Sequence, residues 1–208
     1  MSKNKKKIIV YTDGSCAGNG RMDAVGGIGI HFPNGELDDV SKVYRIGHCT
    51  NQRTELYAIL TAIKYVKQSL GLKNYQIEIM TDSEYAINCI TRWVNGWIKN
   101  GWITKDGSTV SNKDFIEKIY YYYEKYNIKL THVRGHVGIE PNEKADKLAT
   151  KATDKALNEK KKVSKVEINY YSDEKKHTNY YNKQPSRRSY RDRKYNDDDI
   201  VVELVESS

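Results

Sequence analysis

Two short apolar runs in this 208-residue chain, IIVYTD (Ile8 to Asp13) and QIEIMTD (Gln76 to Asp82), both end on Thr-Asp. Their β-branched and aromatic content reads as strand. Between them, TNQRTELYAILTAIKYVKQSL sets Leu56, Ile59, Leu60, Ile63 and Val66 at helical spacing, entered from Thr50 or Asn51 as cap. A long helix placed between strands is the signature of a crossover connection, which commits the chain to parallel pairing with a helix laid over the sheet.

The remaining segments complete the sheet. DGSCAGNGRMD reads as a turn, VGGIGIHF (Val25 to Phe32) as a second strand, PNGE as a hairpin-type turn and VSKVYRI (Val40 to Ile46) as a third strand. After Asp82, SEYAINCITRWV is a helix starting at Ser83, and NGWIKNGWITKDGSTVSN is a basic, Trp-rich interruption. Helix resumes at about Lys113 to Tyr126, NIKLTHV (Asn127 to Val133) is a fifth strand, and a last helix runs from Pro141 to near Ala156. The order β-β-β-α-β-α-α-β-α predicts an α/β fold: a five-stranded mixed sheet with helices on both faces, formed by residues 1–156.

Beyond about Leu157 the composition becomes charged, with few aliphatics and no sustained period. Such a segment buries too little to offset the entropy of ordering, so residues 157–208 are expected to be a low-complexity, disordered tail. Its terminal IVVELVESS is a short acidic and apolar patch that reads first as a terminal tail with incidental aliphatics, and second as a segment able to add to a sheet edge or dock on a partner. The chain carries a net charge of +8, most of it in residues 1–156, which suits a polyanionic partner such as nucleic acid. No apolar run approaches the length of a membrane span, and the N-terminus lacks a secretory pattern; a cytoplasmic or nuclear location is expected. The three cysteines, Cys16, Cys49 and Cys89, show no metal-binding spacing and are expected as free thiols.

Four acidic residues stand at element ends. Asp13 and Asp82 close strands, while Glu55 and Asp146 lie in the first turns of helices. Each has a local explanation: Glu55 and Asp146 as carboxylates favoured near a helix N-terminus, Asp13 and Asp82 as turn acids. Functional groups of α/β sheets gather at strand carboxyl ends, however, and if the two Thr-Asp strands are adjacent the four converge. Such a cluster repels itself unless cations bind it, and an all-oxygen donor set suits Mg²⁺ or Mn²⁺ better than zinc. Two ions about 4 Å apart hold the attacking and leaving oxygens of a phosphodiester. In VRGHVGIEPNEKADKLA, His136 sits on a loop bracketed by Gly135 and Gly138, ten residues ahead of Asp146.

The segments DGSCAGNG, TNQRTELYA, MTDSEYAINCITRWVNGWIKNGW and HVRGHVGIEPNEKAD resemble type 1 ribonuclease H, in unbroken order over about residues 8–156. The resemblance implies an RNase H-like fold and an endoribonuclease that hydrolyses the RNA strand of RNA/DNA hybrids with two Mg²⁺ ions, leaving 5′-phosphate and 3′-hydroxyl ends. It maps the metal ligands to Asp13, Glu55, Asp82 and Asp146, and the family's mobile histidine, which aids product release or shuttles a proton, to His136. It further implies that Glu55 and the backbone around Ser15 and Cys16 read the 2′-hydroxyl, and that Asn19, Asn51 and Gln52 contact the minor groove. Trp93 and Trp97, with Tyr85 beside them, form an aromatic ledge for the DNA strand, and Lys99 and Lys105 meet phosphates; Trp102 reads equally as core. Thr50 and Asn112 match a DNA-phosphate pocket whose arginine is replaced by His48, which offers no permanently charged fork. Family members of this size act as monomers. Many eukaryotic members carry an extra hybrid-binding domain ahead of the catalytic one; here the catalytic strand begins at once, so processivity is expected to be low unless the tail makes weak contacts with nucleic acid or a protein partner. A non-catalytic hybrid-binding module and an integrase- or resolvase-type nuclease are the alternatives. The complete acidic set opposes the first, and the paired tryptophans and TNQRTE oppose the second.

Overall fold

The computed structural model describes residues 5–177, with side chains through Lys162. The sheet is built from β1 (Lys6–Ala17), β2 (Val25–His31), β3 (Val40–Tyr44), β4 (Tyr75–Thr81) and β5 (Lys129–His132), in the order β3-β2-β1-β4-β5. β1, β2 and β3 form an antiparallel meander, while β4 pairs parallel to both β1 and β5. The helices are α1 (Asn51–Ser69), α2 (Glu84–Asn88), α3 (Val94–Lys99), α4 (Lys113–Tyr126) and α5 (Glu140–His177). The mixed five-stranded sheet and its element order agree with the expectation from sequence.

Helices cover both faces because side chains alternate along a strand. A methyl group at Gly26 of β2 would strike the Thr54 side chain of α1, whereas at Gly27 or Gly29 it would strike Ala152 or the Ala145 backbone of α5. On the α1 face, Ile8, Val10, Ile28, Ile30, Ile77 and Ile79 meet Leu56, Ile59, Leu60 and Ile63, all at most 2% exposed. On the other face the contact is one of small residues: Ala145, Ala149 and Ala152 of α5 lie directly over the glycines of β2. The Ser41 hydroxyl donates to Leu148 O (2.7 Å) and the Thr153 hydroxyl to Ser15 O (3.3 Å), tying α5 to β3 and β1.

Three segments differ from the sequence reading. The DGSCA segment is strand, not turn, because it pairs residue for residue with Val25–Gly29. The second helix does not stop at Val94: a single π turn, Cys89–Trp93, joins α2 to α3 and carries helix through NGWIK. Finally, α5 continues past Ala156 to His177, and its Glu159 and Lys160 pair with Arg45 (2.6 Å) and Asp23 (2.7 Å). The rest of the expected tail, 178–208, including IVVELVESS, lies outside the described residues. Among the described residues no helix is long and apolar enough to cross a membrane, and Cys16, Cys49 and Cys89 are free thiols.

Candidate active site

The site forms where the parallel strands β1 and β4 run out of mutual pairing. Their last matched residues are Tyr11 and Met80, so two positions further on Asp13 and Asp82 come level. Glu55 arrives from the opposite face on the second turn of α1, whose N-terminus is fixed by Thr50: its hydroxyl accepts from the Arg53 amide (3.2 Å). The helix can approach this closely because residue 14 is glycine. A β-carbon there would lie 2.3 Å from the Glu55 amide nitrogen.

The result is a compact acidic cluster in which ligand oxygens of Asp13, Glu55 and Asp82 all lie within 4.8 Å of one another. Burial pushes the Asp13 carboxyl up to about 7, aided by the charges of Asp82 and Asp146. Burial and the charges of Asp13 and Asp82 hold Glu55 well above the usual carboxylate range, and its buried Oε2 has no hydrogen-bond partner. Acids clustered this closely, with an orphaned oxygen among them, are a donor set that a hard divalent cation completes. Asp146 stands outside the 4.8 Å group, though its charge is felt at Asp13. It is brought there by α5 seated against Gly29, the cross-strand partner of Asp13.

The histidine loop crosses directly over the cluster. A β-carbon at Gly135 would lie 2.5 Å from Asp82 Oδ2. His136, exposed and in the left-handed region (φ 56°), lies near enough for its charge to oppose the rise at Asp13. Glu143 of α5 accepts from the Gly138 amide (3.0 Å), fastening the far end of the loop to the helix that carries Asp146.

The other residues singled out in the sequence fall into two groups along one side of the cluster. Ser15 and Cys16 lie in β1 opposite Gly27 and Gly26. Asn19 accepts from the Asn51 amide (3.1 Å), so the loop after β1 is latched to the start of α1, where Gln52 is exposed. Tyr85, Trp93 and Trp97 form a run of edge-to-face rings with centroid spacings of 6.4 and 5.9 Å. Trp93 is 44% exposed, whereas Trp102 is 7% exposed, packs on Trp97 and belongs to the core. Lys99, Lys105 and His48 are exposed.

Asn112 caps α4 in the left-handed region (φ 60°) and donates to the Tyr85 hydroxyl (2.8 Å). Sequence reasoning missed the group that holds it there. Arg53 donates to Asn112 Oδ1 (3.3 Å), to the Tyr44 hydroxyl (2.9 Å) and bidentately to Asp114 (3.0 and 2.7 Å), with its guanidinium 4.4 Å from the Phe115 ring centroid. Its place between Gln52 and Glu55 was a usable signal; its partner at the start of α4, sixty-one residues away, was not.

A mixed sheet whose central parallel strands end in a buried carboxylate cluster defines a class of cation-binding α/β proteins. Comparison narrows the class: the RNase H family model matches residues 5–154, and the chain belongs to the ribonuclease H family. It is 47% identical over 149 residues to a probable ribonuclease H of Acanthamoeba polyphaga mimivirus, a match covering 69% of this chain and 65% of that protein. It is 38% identical to a ribonuclease H of Clostridium botulinum, covering 72% of this chain and 97% of the relative. The structure of LC11-RNase H1 in complex with an RNA/DNA hybrid superposes with a TM-score of 0.51 at 26% identity, over 72% of this chain and 99% of that one. The family is metal-dependent, and the ligand oxygens of Asp13, Glu55 and Asp82 lie close enough together for one ion to reach all three.

Proposed function

We propose that the protein is a Mg²⁺-dependent endoribonuclease that hydrolyses the RNA strand of RNA/DNA hybrids, acting as a monomer. The observation that carries this reading is the mutual approach of Asp13, Glu55 and Asp82 within 4.8 Å, on a chain of the ribonuclease H family. The hybrid-bound LC11-RNase H1 neighbour supports the substrate. Asp13, Glu55 and Asp82, with Asp146 beside them, would hold two Mg²⁺ ions, for which Mn²⁺ substitutes. When bound, such ions neutralise charge on the attacking and leaving oxygens of the phosphodiester.

The side chains then divide the work. Asp13, Glu55, Asp82 and Asp146 would hold the cations, the displaced carboxyl protons passing to solvent, and would thereby fix where the scissile phosphate binds. His136, on its glycine-flanked loop, reaches the leaving 3′ oxygen and moves a proton there. Products carry 5′-phosphate and 3′-hydroxyl ends. The Ser15–Cys16 backbone and Glu55 face the ribose 2′-hydroxyl, and Asn19, Asn51 and Gln52 line the minor groove. The Tyr85–Trp93–Trp97 ledge carries the DNA strand, with Thr50 and Asn112 at one of its phosphates and Lys99 and Lys105 along the track.

A substrate panel tests the reading: labelled RNA/DNA hybrid, duplex RNA, duplex DNA and a DNA duplex with one embedded ribonucleotide, each with and without Mg²⁺. Cutting of the hybrid, little cutting of duplex RNA or duplex DNA, poor cutting of the last and none by Asp13→Asn are expected. Mg²⁺-independent binding of hybrid without cleavage would instead identify a recognition module, and cleavage confined to duplex DNA another class of nuclease.

A further inference from the structure

Cys16 and Cys49, thirty-three residues apart in sequence, bring their sulfurs to 3.2 Å at the edge of the candidate site. The contact is built by the fold. Cys16 faces Gly26 across the β1–β2 pair, and Cys49 lies over the same glycine, whose β-carbon, if present, would be 2.7 Å from the Cys49 sulfur. A side chain at position 26 would drive the thiols apart. The two differ in access: Cys16 is half-buried, whereas Cys49 is 4% exposed. Cys89, the third cysteine, is fully buried against Tyr85.

We propose that Cys16 and Cys49 are a redox-modification site, a dithiol that a peroxide oxidises to an intramolecular disulfide and that thiol reductants restore. The accessible Cys16 thiolate attacks one peroxide oxygen, the O–O bond breaks, and hydroxide leaves to become water. Cys16 is then a sulfenic acid. The Cys49 sulfur attacks the Cys16 sulfur, the S–O bond breaks, and the departing hydroxide takes up the Cys49 proton as a second water. Two thiols and one peroxide thus give one disulfide and two waters. Burial and the adjoining Cys16 thiol push Cys49 up to about 12, which suits the resolving rather than the attacking role. Joining the sulfurs requires closing 3.2 Å to about 2.05 Å, a small movement for side chains already in contact. In a reducing compartment such a bond is transient and signals oxidation rather than supporting the fold. The proposal is independent of the catalytic reading.

The test is peroxide treatment of the full chain followed by thiol counting and tryptic mapping. Cleavage after Lys7, Arg21, Arg45 and Arg53 puts Cys16 and Cys49 on separate fragments, 8–21 and 46–53. Expected is a fall from three titratable thiols to one, a linked 8–21/46–53 species lighter by two hydrogens than its parts, and its loss on dithiothreitol treatment. Cys89→Ser should form the same link and Cys49→Ser should not. Three surviving thiols, over-oxidation of Cys16 with Cys49 intact, or a link between two chains would each overturn the proposal, and mapping of the unmutated chain decides even if a variant fails to fold.

Discussion

Asp13 of β1 and Asp82, the residue that follows the parallel strand β4, stand level two positions beyond the Tyr11–Met80 pair. Level acids on neighbouring strands repel, so the cation-free protein carries a cost that a cation removes. The folded-state value of Asp13, about 7 against 3.8, is raised. The sign follows from linkage: the folded form holds its proton more tightly, so this group contributes stability at low pH that is lost as pH rises from about 4 through 7. Thermal melts in EDTA across that window should show falling stability; Mg²⁺ should flatten the fall, and Asp13→Asn should reduce it while abolishing cleavage.

Gly135 tests how closely the histidine loop is fitted. In Gly135→Ala the new methyl group meets the carboxylate end of Asp82 at 2.5 Å, a side-chain atom that can swing aside. Stability should hold within about 0.5 kcal/mol, as for a surface substitution. Cleavage should drop by about tenfold or more, because displacing a carboxylate proposed to hold a cation by even 1 Å is costly to rate. Parallel measurement of urea midpoints and hybrid turnover separates the two.

Gly29→Ala should behave in the opposite way. Its methyl group would lie 1.9 Å from the Ala145 carbonyl oxygen, which only a shift of α5 relieves. A loss of about 3 kcal/mol, at the upper end for overpacking, is expected in denaturant unfolding. Weakened cation binding should accompany it, since the same helix carries Asp146.

Arg53→Lys keeps the charge and loses the fork. Lysine cannot serve Asp114 bidentately while also reaching Tyr44 and Asn112, so about 1–2 kcal/mol of stability should go. Hybrid affinity should weaken too, because Asn112 loses the group that orients it; titration of labelled hybrid under non-cleaving conditions reads this out.

The tryptophans differ by exposure. Trp93→Ala should cost little stability and weaken hybrid binding by about 1 kcal/mol, roughly fivefold, as expected for loss of an exposed aromatic ledge. Trp102→Ala should unfold the protein more readily, by about 3 kcal/mol, through loss of a buried ring.

The repeated Thr-Asp endings and the period of α1 made the sheet and its crossover legible, since both are local hydrophobic patterns. What sequence concealed was set by partners distant along the chain. Gly14, Ser15 and Cys16 look like turn residues, yet β2 enrols them in the sheet and Gly14 is needed for the approach of α1. The continuation of α5 past Ala156 has no strong apolar stripe; Glu159 and Lys160 fasten its start through ion pairs to Arg45 and Asp23. Asp13, Glu55 and Asp82 were identifiable by type and place, but their common level depended on a register that only pairing defines. Arg53 escaped notice because its carboxylate partner belongs to another helix.

The bare backbone of β2 also shapes how this protein can change over time. Where helices rest on side chains, a misfit can be relieved by trimming a neighbour. At Gly26, Gly27 and Gly29 there is nothing on the strand left to trim. Sequence drift at this seam must therefore come from the helices alone, and the strand acts as the fixed template to which Ala145, Ala149 and Ala152 stay fitted.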